Sequence, residues 1–403
     1  MLNITDNAQE QKIPAFFRLG FRSMFLSAAI FSVTAVLIWL LALHGSVEFS
    51  PFNNILWWHG HEMLFGFVSA IIVGFLLTAV QTWTGQPGLR GSALLGLWSL
   101  WLSARLLLAI NPAFISPVMV MLIDLSFLPI AGYFLAKPIL RVKQYKNMVF
   151  IPVLLLLSLC NGLTYIEPTN GLSDFFRHGT YAAVMFISLI MTIMGGRVIP
   201  FFTASGTKTV KRENIQWIEW LSVISVGLLA FSFLFNLASS KEYSVILSVL
   251  FLIAALTNFI RFSRWRFFST INIPLLWSLQ LSYLFIPITF LLLALHYAFG
   301  VFSLSSVLHG LTIGAMGNMV LAMMARVSLG HTGRPLKVNK FVVSAFVALL
   351  IAASLRVVAG MWINDSYLLL TSMSAAFWVY SFTVFSVIYF PILTQARVDG
   401  RPG

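Results

Sequence analysis

Charge is what this chain has least of. Lys, Arg, Asp and Glu make up 9% of its 403 residues, against about 25% in a soluble domain. So few ionic groups cannot cover a water-facing surface of that size, and a mean hydropathy of +0.91 agrees. Cysteine is nearly absent as well. Cys160 stands alone, which excludes an intrachain disulfide and a CxxC metal or redox motif; inside its apolar run it reads as a small buried hydrophobe. No polar stretch is long enough for a separate soluble domain. Acidic residues are the scarcer sign, 12 against 25 basic.

What is present is long apolar runs, rich in Phe (37) and Trp (12), residues suited to lipid-facing and interfacial surfaces. A helix needs about 20 apolar residues to cross the hydrocarbon. Spans are expected near 23–44, 58–82, 91–109, 115–136, 147–166, 179–202, 215–238, 243–260, 273–298, 304–326, 341–360 and 367–391. The first run is too long for a signal-peptide core and lacks a clear cleavage site, so it reads as a retained helix. Connections are short and carry Gly, Pro or Asn, as in Gln86-Pro87-Gly88, Asn111-Pro112 and Glu167-Pro168. The expected fold is an all-α integral membrane protein. One bundle of about twelve transmembrane helices fills residues 1–403, with a cytoplasmic N-terminal segment (1–22) and tail (392–403).

The basic residues set its direction. Lys12, Arg18 and Arg22 precede the first span, and the even-numbered loops hold nearly all the rest, from Arg90 and Lys137 through Arg261, Arg264, Arg266 and Arg326 to Lys340. Arg397 and Arg401 lie in the tail, and only Arg177 and Lys241 fall in odd-numbered loops. By the positive-inside rule both termini are cytoplasmic. The net charge of +13 is thereby a topological signal, and a nucleic-acid partner is excluded. The lipid bilayer is the partner this composition requires.

That orientation puts six of the seven histidines, His44, His59, His61, His178, His296 and His309, near the outer helix ends. Imidazole is costly in a bilayer without a partner and is a common ligand of haem iron and copper. His59, His61 and His309 are the foremost ligand candidates, His178 and His296 the next; His44 reads as an interfacial helix end. In Trp57-Trp58-His59-Gly60-His61-Glu62-Met63 the paired Trp marks the outer interface. His59 and Glu62, three apart, share a helical face with Met63, and His61 points elsewhere. His309, Thr312, Met316, Met319 and Met323 form one stripe. Its methionines could ligate copper or haem, though such stripes are more often packing. Gly310 and Gly314, like Gly66, Ala70 and Gly74, allow close helix approach or leave room for a flat macrocycle.

Ionisable groups inside spans add further candidates. Arg105 and Arg356 fall at the histidine level and suit haem propionates. Asp124 is a proton relay or the partner of a buried Arg. Arg197, in Gly195-Gly196-Arg197-Val198-Ile199-Pro200, marks an interrupted helix whose freed carbonyls it could satisfy. His331 and Arg334 lie in a cytoplasmic turn that by itself reads as solvated.

Three motifs now resemble one family. Trp58-His59-Gly60-His61-Glu62-Met63-Leu64-Phe65-Gly66-Phe67 with Gly74-Phe75-Leu76-Leu77-Thr78-Ala79-Val80, then Gly195 to Thr203, then His309 to Gly317 running on to Ser328-Leu329-Gly330-His331-Thr332-Gly333-Arg334, are similar, in order, to the signatures of the NnrS family. One departure is Gly310, where Ala is expected. The resemblance implies a multi-pass protein of the bacterial inner membrane. It also implies that this protein contains haem (b-type) and copper, answers to nitric oxide and protects against nitrosative stress. It raises His331 and Arg334 to candidates of unknown role. Three functions are weighed: a haem/copper protein that binds or handles nitric oxide; a haem–copper oxidoreductase that reduces nitric oxide or takes electrons from quinol or another donor; and a transporter of a small solute or metal. The second would resemble haem–copper oxidases in carrying His on spans 2 and 10, but their paired His-His is missing.

Overall fold

The computed structural model describes residues 10–166, 174–359 and 366–403. The Glu167-Pro168 turn lies outside them. The described residues are helical and contain no strand, and twelve helices are long and apolar enough to cross a membrane. They are α1 (Gly20–Leu43), α2 (Ile55–Thr84), α3 (Gly91–Ile110), α4 (Pro117–Arg141), α5 (Tyr145–Thr164), α6 (Asp174–Thr207), α7 (Gln216–Leu234), α8 (Lys241–Ser263), α9 (Pro274–Phe299), α10 (Leu304–His331), α11 (Lys340–Ala359) and α12 (Tyr367–Thr394). Every expected span has its helix.

Local chemistry explains the ends. Asn54 caps α2, its Oδ1 accepting from the backbone N–H groups of Leu56 (3.1 Å) and Trp57 (2.9 Å). Pro117 and Pro274 open α4 and α9 at positions that have no helical N–H bond to lose. Gly85 (φ 65°) stops α2 and Gly300 (φ 65°) stops α9 in the left-handed conformation that glycine adopts without strain.

The chain forms two compact units. The first comprises Met1–Thr180, Met324–Leu336 and Phe382–Gly403; the second comprises Tyr181–Met323 and Lys337–Ser381. In the first, α1 and α2 meet closely at glycine: a Cβ on Gly74 would stand 2.7 Å from Met24 Cβ. In the second, the small residues of α10 receive side chains of α9, with Thr289 against Gly310 and the Phe285 ring against Gly314. Close packing is thus one use of these glycines.

Two helices change pitch. Residues 62–68 of α2 and 310–317 of α10 form π-helical turns. A wider turn frees backbone carbonyls, and side chains answer them. Ser69 Oγ donates to Leu64 O (3.0 Å) and the Trp101 indole to Gly66 O (2.8 Å). Asn318 Nδ2 donates to Ile313 O (3.2 Å). The pitch change also breaks the expected methionine stripe: Met316 lies in the π turn, Met319 beyond it, both buried, and Met323 is half-buried.

α6 is one continuous helix through Gly195, Gly196 and Pro200, which corrects the expected interruption. The glycines make room for side chains instead. Tyr283 lies against Gly195, and the Arg261 guanidinium fills the space a Cβ on Gly196 would need. Arg261, expected in a loop, is buried in α8. It donates to Glu219 (2.8 Å), Tyr283 Oη (2.7 Å) and Thr192 O (3.1 Å). Arg197 is exposed on the opposite flank.

Candidate functional site

The first unit holds a buried ionic cluster drawn from four helices. Arg105 (α3), Asp124 (α4), Asn161 (α5), and His61 and Glu62 (α2) are all at most 3% exposed. Tyr165, just beyond α5, completes it. Arg105 Nη1 lies 3.0 Å from Glu62 Oε1, and its Nη2 donates to Asp124 Oδ1. Asp124 Oδ2 accepts from Asn161 Nδ2 (2.6 Å) and Tyr165 Oη (3.0 Å). His61 is held at both ring nitrogens: Nδ1 faces Glu62 Oε1 at 2.9 Å, and Nε2 faces Asn161 Oδ1 at 2.8 Å and Asp124 Oδ2 at 3.2 Å.

Donor and acceptor counting bears on the protonation. Asn161 must turn its amide N–H toward the Asp124 carboxylate, so its oxygen faces His61. With Glu62 and Asp124 ionised, both ring nitrogens meet acceptors, an arrangement that suits an imidazolium. Charge balance agrees: Arg105 and His61 offset Glu62 and Asp124. Aromatic neighbours suit a cation too. The Trp57 ring stacks on His61 (4.4 Å, 12°), with Phe65 and Tyr165 beside it. An imidazolium offers no lone pair to a metal. In this arrangement His61 is the centre of an ion-pair network.

Local geometry departs from two expectations here. Glu62 pairs with His61, its chain neighbour, and not with His59, because the regular 3.6-residue face ends where the π turn begins at Glu62. Trp57 and Trp58 are each 1% exposed, so they are core side chains and not exposed interfacial rings. The Trp57 indole donates to Thr164 O (2.8 Å), and both rings join an apolar cluster with Phe52, Leu108, Val120 and Phe176. Gly66 is required beneath the network, where a Cβ would stand 2.5 Å from Arg105 Nη1 and 2.9 Å from the Phe31 ring.

The other candidates lie apart from this cluster or in the second unit. His59 is half-buried and stacks on Trp39 (4.3 Å, 21°). His178 is half-buried at the start of α6, and His44 is exposed after α1. In the second unit, His296 Nδ1 donates to Phe302 O (2.5 Å) and His309 Nδ1 to Ser305 O (2.6 Å). A neutral imidazole tied through Nδ1–H to a carbonyl carries its lone pair on Nε2, the usual posture of a metal-binding histidine. Arg356 is 8% exposed and donates to Tyr367 Oη (2.9 Å). Among the described residues no group of three or more His, Cys, Asp or Glu gathers as a metal cage.

His331 ends α10 half-buried, not in a solvated turn. Its ring lies 5.6 Å from Phe21, and its carbonyl accepts from Arg397 Nη1 (2.7 Å). Next to it Arg22, counted above with the N-terminal segment, is fully buried and donates to the carbonyls of Leu393 (3.1 Å), Gln395 (2.7 Å) and Gly403 (2.8 Å). Arg334 follows the Gly333 turn (φ 73°). Asn161, Tyr165 and Arg261 were not singled out from sequence. The signal for Asn161 was a lone amide inside an apolar run, and for Arg261 a cation at a span boundary.

The sequence profile of a family described as NnrS protein matches residues 15–397, nearly the whole chain. No curated protein matches.

Proposed function

Because the chain belongs to the NnrS family, a family whose membership supports a membrane protein of the nitric oxide response, we propose that it is a haem- and copper-containing protein of the bacterial inner membrane. It binds or handles nitric oxide and so limits nitrosative damage. Both termini lie on the cytoplasmic side, and the histidine-bearing helix ends lie on the outer side.

One structural observation supports this reading beyond the family: the Nδ1 tethers of His309 and His296. Each ring is tied through Nδ1–H to a backbone carbonyl, a tether that suits a ligand of haem iron or copper. His309 is the proposed haem ligand. Within the second unit, imidazole and the thioethers of Met316, Met319 and Met323 are donors of the softness copper accepts; in the first unit His59 and His178 are separate candidate imidazoles. Bound haem iron or copper(I) would supply a site for nitric oxide, an apolar gas that can arrive through lipid. The chain's own part is to hold the imidazoles. His61 is not among the proposed ligands.

Haem and copper content of the purified protein tests the assignment. Wild type should contain both. His309→Ala should lose haem, whereas His61→Gln should keep it and lose stability. Full haem in His309→Ala, or its loss only in His61→Gln, would reverse the roles.

A further inference from the structure

The twelve helices fall into three consecutive quartets, α1–α4, α5–α8 and α9–α12. In each quartet the second helix is the most buried, at 83%, 78% and 72%. Each of these second helices has the same dipeptide near its start: His59-Gly60, His178-Gly179 and His309-Gly310. The first and third quartets match further. Both α2 and α10 pass from that start into a π turn, and each turn ends on a polar side chain, Ser69 or Asn318, that bonds the carbonyl five residues back. The next helices carry Ser103-Ala104-Arg105 and Ser354-Leu355-Arg356, at the same interval after the histidine to within one residue. Near the ends of α4 and α12 stand Pro138-Ile139-Leu140 and Pro391-Ile392-Leu393. Arg105 and Arg356 are therefore counterparts in an internal repeat.

Their surroundings differ in one respect. Arg105 meets two carboxylates of its own chain, Glu62 and Asp124. The position three after His309 holds Thr312, and the interval from Arg105 to Asp124, counted on from Arg356, leads to Ala375, next to Ser374, whose hydroxyl donates to Ala352 O (2.7 Å). None of these is acidic. Arg356 is 92% buried, being 8% exposed. Among the described residues its one partner is the Tyr367 hydroxyl, over whose ring the guanidinium lies at 5.2 Å, and its Nη1 is buried with none. A buried guanidinium without a countercharge is strongly unfavourable, and Arg105 shows which countercharge this frame accepts.

We propose that Arg356, with Tyr367, is a receptor for a carboxylate that comes from outside the chain. It is the open counterpart of the closed Arg105 site. α11 packs on both the start of α10 and its π turn, so the receptor belongs to the helix beside His309. Two sources share this chemistry: a propionate of bound haem, which rests on the haem reading above, and a free small carboxylate, which does not.

The test compares haem with haem dimethyl ester, whose propionates are neutral, and in parallel titrates acetate against chloride by thermal shift. The proteins are wild type, Arg356→Gln, Arg356→Lys and Asp365→Asn. Asp365 lies outside the described residues and is the nearest following carboxylate in sequence. A charge-assisted pair predicts a preference of about tenfold or more for haem over its ester. Arg356→Gln abolishes that preference, Arg356→Lys keeps part of it and Asp365→Asn keeps all of it; this pattern assigns a propionate. No ester discrimination, but acetate stabilisation that Arg356→Gln removes, assigns a free carboxylate. If wild type takes up no haem, the haem reading fails and the acetate arm alone decides. Should Arg356→Gln not fold, the wild-type ester comparison and Tyr367→Phe, which should weaken the same preference, carry the test. Indifference of wild type to ester and acetate alike, or an Asp365→Asn variant that behaves like Arg356→Gln, overturns the proposal.

Discussion

Asp124→Asn is the sharpest probe of the buried network. The substitution keeps the shape of the side chain and removes one negative charge from a place 3% exposed. Asp124 accepts from Arg105, Asn161 (2.6 Å) and Tyr165 (3.0 Å) and lies 3.2 Å from His61 Nε2. Without it two buried cations face Glu62 alone. Removing one partner of a buried ion pair costs about 3–5 kcal/mol. Glu62 remains 3.0 Å from Arg105, so the lower part of that range is expected. Arg105→Met leaves the opposite imbalance and should cost a similar amount. The double variant restores the charge balance and should cost less than the sum of the two, with a coupling of roughly 1–3 kcal/mol. Equilibrium unfolding in one detergent, following tryptophan fluorescence, gives all four corners of the cycle. A single-variant loss below about 0.5 kcal/mol, a surface-like effect, or strict additivity would refute the network as described.

Three further outcomes follow from particular contacts. Gly196→Ala drives a methyl into the Arg261 guanidinium and should destabilise by about 1–3 kcal/mol; Gly227→Ala, where a Cβ meets nothing within 4 Å, should be neutral or mildly stabilising in the same unfolding assay. Nitrogen-15 resonances of His61 should report two protonated ring nitrogens at neutral pH, and a bare nitrogen there would return it to the list of ligands. Hydrogen bonds from Arg397 hold the Asp399 carboxyl down at about 2 from its ordinary 3.8. A depressed carboxylate stabilises above its unfolded value and loses that contribution as pH falls through its folded one. Pepsin cleavage around 395–403 should therefore increase from about pH 4 to pH 2 in wild type, while Asp399→Asn should be cut readily throughout; identical pH profiles would count against the clasp.

The helices were legible because their signal is physical and redundant. Apolar length alone found α1 to α12, and the cost of burying charge singled out Arg105, Asp124 and Arg356. What stayed hidden depends on pitch and on partners distant in sequence. A regular helix pairs Glu62 with His59, and no local pattern announces that residues 62–68 widen into a π turn. The burial of Trp57 and Trp58 reflects α5 and Phe176 packing over them, which interfacial preference does not anticipate. Glycines at 195 and 196 read as a helix break, since their true requirement, the bulk of Tyr283 and Arg261, lies over sixty residues away in sequence. Charge counting placed Arg22 in the N-terminal segment and Arg261 in a loop, because it cannot tell a span boundary from a buried inner turn. The echo between α2 and α10 was visible as a pair of His-to-Gly intervals; the shared π turns give it structural content.

The functional claim is tested most directly by the optical spectrum of the purified, dithionite-reduced protein before and after nitric oxide is added. The account predicts b-type haem bands that shift on addition of the gas and that are missing from His309→Ala. A purified, folded wild-type protein without haem absorbance, or with bands indifferent to nitric oxide, would contradict it.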